Sequence, residues 1–148
     1  MRESPVLKDA VTLPKYFSNH GYYSMACGKI FHQPMGPWGD PQSWDSQENL
    51  GGLSLNPPRQ KGKQANGLEK QTPGGAVILD WAGVDVDETK TNDYLNAQWA
   101  AQELMKKHDK PFFMACGIFR PHLPWYVPQK YFDRFKLEDI QLPKQDPM

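Results

Sequence analysis

Tyr22 to Gly28 forms an apolar run of strand length, followed at once by Lys29 and, three residues later, by His32. The run lacks strict polar–apolar alternation, which predicts a strand buried on both faces, as in a parallel sheet. Such a strand constrains the rest of the chain strongly. Parallel neighbours need a crossover element between them, and the sheet needs covering layers. In open α/β sheets, chemistry sits just beyond the carboxyl ends of strands. A cation and an imidazole at that place are residue types that receive an anion, although the pair taken alone reads more simply as a solvated turn.

The flanking segments supply the missing elements. Thr12 opens a short helix with Pro14 in its first turn, an apolar face of Leu13, Tyr16 and Phe17, and Gly21 at its left-handed end. A second helix begins at Thr91 or Asn92, after Asp85, Asp87 and Glu88. Its predicted face is Tyr94, Ala97, Ala101, Leu104 and Met105, with Trp99 off that stripe. Lys106, Lys107 and His108 complement its dipole in a structural role. Lys110-Pro111 ends the helical phase, and Phe112 to Ile118 reads as a second buried strand. Helix plus strand after an earlier strand makes a right-handed crossover in a parallel sheet. A short helix from Pro128 to Phe135 is expected to pack Tyr131, Phe132 and Phe135. The fold class is therefore α/β, in one domain over residues 1–148, with an irregular tail at 136–148.

Residues 33–79 show no sustained period and form a long Pro/Gly-rich loop. Trp38 and Trp44 near its start predict a partly packed wall beside Lys29 and His32. Its basic patch of Arg59, Lys61 and Lys63 is read as solvated. A formal net charge of zero gives no electrostatic case for nucleic acid or an anionic membrane. No apolar run is long enough to span a bilayer, and Met1 to Ala10 has no signal-peptide core. Cys27 and Cys116 fit no metal-ligand spacing and are expected to be buried free thiols.

Both predicted strands end in basic residues: Lys29 and His32 after the first, Arg120 and His122 after the second. Prolines at 121 and 124 fix the backbone around His122. Groups converging on one sheet edge would suit a tetrahedral oxyanion such as a sulfate or phosphate ester.

Leu13-Pro14-Lys15-Tyr16-Phe17, Asn19-His20-Gly21-Tyr22, Gly28-Lys29-Ile30-Phe31-His32, Asp93-Tyr94, Pro111-Phe112-Phe113 and Pro121-His122-Leu123-Pro124-Trp125 recur here in order. In these words the chain resembles the sulfatases of the alkaline phosphatase superfamily, in particular the iduronate-2-sulfatase type. The resemblance implies part of an alkaline-phosphatase-like sandwich, with a mostly parallel sheet and flanking helices. It also implies a sulfuric ester hydrolase acting on a sulfated small molecule or carbohydrate outside the cytoplasm. By position, Lys29 resembles the lysine between nucleophile and sulfate, and His32 the histidine on the formylglycine hydroxyl. His122 resembles the histidine beside the ester oxygen, while Arg120 and Trp125 fall on the substrate side.

The family also uses a formylglycine nucleophile, made from a Cys/Ser-x-Pro-x-Arg word, and a calcium ion held by carboxylates. Neither is expected in this chain: Cys27 is followed by Gly28-Lys29, and Cys116 by Gly117-Ile118. Asp85, Asp87 and Asp93 match no metal ligand of the family. The chain is expected to be an internal part of a catalytic domain, inactive alone. A phosphatase or phosphonate hydrolase of the same superfamily, and a noncatalytic module binding sulfated sugars, stand as the alternatives.

Overall fold

A computed structural model of the chain describes residues 2–32, 39–53, 55, 57, 63–67 and 79–144. Among them the strands are β1 (Tyr23–Gly28), β2 (Ser46–Glu48), β3 (Trp81–Val84), β4 (Phe112–Gly117) and β5 (Trp125–Pro128), and the α-helices are α1 (Leu13–Asn19), α2 (Asn92–Met105) and α3 (Gln129–Phe132). The chain divides into two compact units, Met1–Ser54 with Thr89–Arg120 and Leu55–Glu88 with Pro121–Met148. No described helix is long and apolar enough to cross a membrane.

In the first unit β1 is the middle strand, paired in parallel with β2 on one side and β4 on the other. This is the parallel α/β arrangement that the unalternating run predicts. Ser24 to Cys27 are buried, as a strand with neighbours on both edges requires. The tetrapeptide Met-Ala-Cys-Gly occurs in both β1 and β4, and the register sets the two copies side by side, Met25 against Met114 through to Gly28 against Gly117. β4 has only one partner among the described strands and is half-buried, so Cys116 is exposed and the expectation of two buried thiols holds only for Cys27.

Both helices of this unit lie on β1 and β4, but with narrower faces than their sequences suggest. In α1, Phe17 stacks on Phe113 at 4.7 Å between ring centroids and meets Tyr22 at 5.0 Å, whereas Leu13 and Tyr16 stay exposed. The sheet offers one aromatic slot, and Trp44, stacked 6.0 Å from Phe113, fills the rest of it. Trp44 is therefore a core residue rather than a wall beside Lys29. Trp38, Arg59 and Lys61 lie outside the described residues.

The predicted face of α2 faces away from the sheet: Tyr94, Ala97, Ala101, Leu104 and Met105 are all exposed. Asn96 is the buried residue, and Leu95, Trp99 and Ala100 are partly covered. Polar anchoring sets the rotation of the helix. Asn96 Nδ2 donates a long bond of 3.5 Å to the Gly117 carbonyl, and the Asn96 carbonyl accepts from the Cys27 thiol at 3.5 Å. At its end His108 Nε2 meets the Glu103 carbonyl at 2.8 Å and its ring lies 4.5 Å from Phe112, a structural role as read from sequence.

A half-buried ion pair, with Asp40 as its buried member, straps the segment before α1 to the rest of the unit. Arg2 donates through Nε and Nη2 to the two oxygens of Asp40, at 2.9 and 2.7 Å, and through Nη1 to the Ala10 carbonyl at 2.5 Å. Its guanidinium, with Ser43 Oγ, holds the Asp40 carboxyl below the usual carboxylate range. Arg2→Met should cost about 2 kcal/mol by leaving that carboxylate without its charged donor. Urea unfolding at pH 7 checks this, and an unchanged midpoint would count against the strap.

The second unit contains β3 paired in parallel with β5, Trp81 against Trp125 through to Val84 against Pro128. Its centre is Asp80, which is fully buried and accepts four hydrogen bonds. Oδ1 takes the amides of Asn66 and Trp81, and Oδ2 those of Ala65 and the hydroxyl of Tyr126, at 2.6 to 2.9 Å. The helix predicted over 128–135 is shorter, and its aromatics are exposed rather than packed. Glu88 explains the difference: it accepts from the Tyr131 hydroxyl at 2.9 Å and pairs with Lys130, which holds the aromatic end at the surface.

Candidate functional site

Two glycines set the edge where β1 and β4 stop. Gly28 has a φ of +70°, a left-handed conformation that favours glycine. A Cβ on Gly28 would run into the Gly117 carbonyl, and one on Gly117 would run into the backbone of Lys29. Bare backbones therefore pass at close range, and the Lys29 amide donates to the Gly117 carbonyl at 3.0 Å. This crossing delivers Lys29 to His32 and Ile118 to Arg120 at the carboxyl edge of the same sheet.

There a cleft of about 180 Å³ opens within the first unit. Lys29, Phe31 and His32 line it after β1, Glu48 to Gly51 after β2, Asn92 and Asn96 from α2, and Phe119 after β4. The amide of Leu53 donates to the Lys90 carbonyl at 2.7 Å, which ties the wall after β2 to the start of α2. The volume is below the roughly 300–1,000 Å³ of drug-sized pockets and suits a small charged group.

Phe119, which the sequence reading did not single out, is the hub of the basic residues. Lys29 Nζ lies 4.7 Å from the centroid of its ring, and the Arg120 guanidinium carbon 4.8 Å from it. Among the described residues no carboxylate is within ion-pairing distance of Lys29. Asp93, in the first turn of α2, accepts the amides of Phe119 at 2.7 Å and Arg120 at 3.1 Å. A carboxylate in the helix word Asp93-Tyr94, aimed back at the segment after β4, was the available sequence signal.

The structure thus gathers Lys29, His32 and Arg120 at one sheet edge. His122 and Trp125 belong to the second unit. His122 is exposed, with Nδ1 at 2.6 Å from the Leu123 carbonyl, and Trp125 donates from Nε1 to the Pro121 carbonyl at 2.9 Å. Burial, with the neighbouring Cys116 thiol, pushes the Cys27 thiol up to about 12. A thiol that stays protonated is neither nucleophile nor metal ligand. Among the described residues, no group of three His, Cys, Asp or Glu could hold a metal ion.

No family model matches the chain. It is similar to a protein of Formosa agariphila named Sulfatase, with 34% identity over an alignment of 145 residues that covers 95% of this chain and 28% of that relative. It is also similar to the human Iduronate 2-sulfatase, with 30% identity over 88% of this chain and 24% of the relative, and to that of Mus musculus at 28%. The chain spans about a quarter of the length of these curated relatives.

Proposed function

The chain is related to the sulfatases along most of its length, and we propose that it supplies the oxyanion-binding side of a sulfuric ester hydrolase site. The observation that carries this reading is the shared cleft at the ends of β1 and β4, where Lys29 and His32 meet with Phe119 and Arg120 beside them. A lysine ammonium neutralises non-bridging oxygens as a compact charge, and an imidazole donates a hydrogen bond or a proton. In this reading Lys29 binds the sulfate, His32 exchanges a proton with the group attacking or leaving sulfur, and Arg120 contributes charge from the rim. His122 serves the ester oxygen and Trp125 the substrate. The substrate class is a sulfated small molecule or carbohydrate met outside the cytoplasm, and residues 1–148 form part of one catalytic domain.

Calcium and formylglycine do not fit the residues present. The described carboxylates form no cluster for a metal, and neither cysteine stands in a Cys-x-Pro-x-Arg word. No step of the proposal passes through either group, and the chain alone is expected to bind without turnover. Calorimetric titration with a sulfated oligosaccharide and its desulfated twin tests this. Saturable binding of the sulfated ligand alone is expected, weakened about tenfold by Lys29→Ala through loss of one charge-assisted contact. Equal binding of both ligands, or of neither, overturns the reading. Steady release of nitrophenol from an aryl sulfate by the purified chain would overturn the expectation of no turnover.

A further inference from the structure

We infer that Asp93 is a positioning residue, which sets the Lys29 ammonium in the cleft by fixing the Phe119 ring against it. The inference deepens the sulfate-binding reading and rests on it for its consequence, though not for its geometry.

The chain of contacts is short. Asp93 stands in the first turn of α2, where a carboxylate is already favoured by the helix dipole. Its two oxygens do not turn inward to cap α2. They accept the consecutive amides of Phe119 and Arg120, at 2.7 and 3.1 Å. Two consecutive amides bound by one carboxylate leave that backbone segment little freedom, because charge-assisted bonds are short and directional. Fixing it fixes the Phe119 ring, whose face takes the Lys29 ammonium at 4.7 Å. A lysine stem is long and flexible, and an exposed ammonium otherwise samples many rotamers. Contact with an aromatic face narrows that set before any ligand arrives. Anion binding then meets a preordered charge.

The competing account makes Asp93 a residue that stabilises α2 only. The two accounts differ in what happens to Lys29. Protons on Lys29 Cε held over an aromatic face have NMR signals displaced upfield by the ring current. Asp93→Ala removes both acceptors and should return those signals to the position they take in Phe119→Leu. Asp93→Asn keeps one acceptor and should give an intermediate displacement, and it decides the matter should the alanine variant fail to fold. Binding of the sulfated oligosaccharide should weaken about fivefold in Asp93→Ala, the equivalent of one modest contact. A folded Asp93 variant with a lower midpoint but unchanged Lys29 signals overturns the inference. The Lys29 signals need no ligand. If they move as expected while the wild-type chain binds no sulfated ligand, the positioning stands and the sulfate reading falls.

Discussion

Gly28→Ala is expected to lower the unfolding free energy of the first unit by about 3 kcal/mol and to abolish anion binding at the cleft. A left-handed backbone costs an L-residue about 1–2 kcal/mol, and forcing a methyl group into a filled space costs about 1–3 more. Here the added carbon would meet the Gly117 carbonyl and the Asn96 side chain, so the neighbouring strand and α2 would both have to move. Gly21 provides the control. It has a φ of +85°, and a Cβ added there would find nothing within 4 Å. Gly21→Ala should therefore carry the backbone cost alone, about 1 kcal/mol. Urea unfolding of both variants, followed by amide signals from β1 and β4, measures the difference. A gap smaller than about 0.5 kcal/mol, the scatter of ordinary surface substitutions, would mean that close backbone approach does not build this edge.

The same two glycines explain much of what could be read in advance. β1 and β4 were legible because an unalternating apolar run leaves few alternatives to a covered parallel strand, and each run is closed by a glycine. Lys29 and Arg120 were legible as neighbours for the same reason. β2, β3 and β5 were not. Ser46–Glu48 is three polar or charged residues whose strand conformation comes from the hydrogen-bond edge of β1, and nothing in their own pattern requires it. Trp125–Pro128 ends in a proline and directly follows the proline-fixed segment at 121–124, yet its pairing with Trp81–Val84 makes it a strand. Short strands are decided by their partners more than by propensity. The face of α2 was misread because periodicity marks apolar residues, while this helix is oriented by the amide of Asn96 and the carboxylate of Asp93. Phe119 went unmarked because its role depends on two cations and one carboxylate that are distant in sequence or invisible to apolar patterning.

In the second unit the largest expected loss comes from Asp80→Asn, about 3 kcal/mol at pH 7. The amide can face its nitrogen toward the site of Oδ2, where the Tyr126 hydroxyl can turn to accept but the Ala65 amide meets another donor. Facing the other way, it sets its nitrogen against both the Asn66 and Trp81 amides. Either choice leaves a buried N–H unpaired, at about 1–3 kcal/mol, and replaces charge-assisted bonds with neutral ones. The pH dependence has a defined sign. Burial alone would push the Asp80 carboxyl up, but the Tyr126 hydroxyl and the three amides outweigh it and hold the group below the ordinary range. Its contribution is therefore fully present above the unfolded carboxylate value of about 3.9 and is lost as pH falls through the lower folded value. Glu88, held down by Lys130 and Tyr131, acts in the same direction from the surface, where salt screens it. Unfolding of the wild-type chain in high salt, read from the amide signals of Asn66 and Trp81, should retain an acid step that Asp80→Asn lacks. An acid step of equal size in both proteins would show that the buried carboxylate does not hold β3 and β5 together.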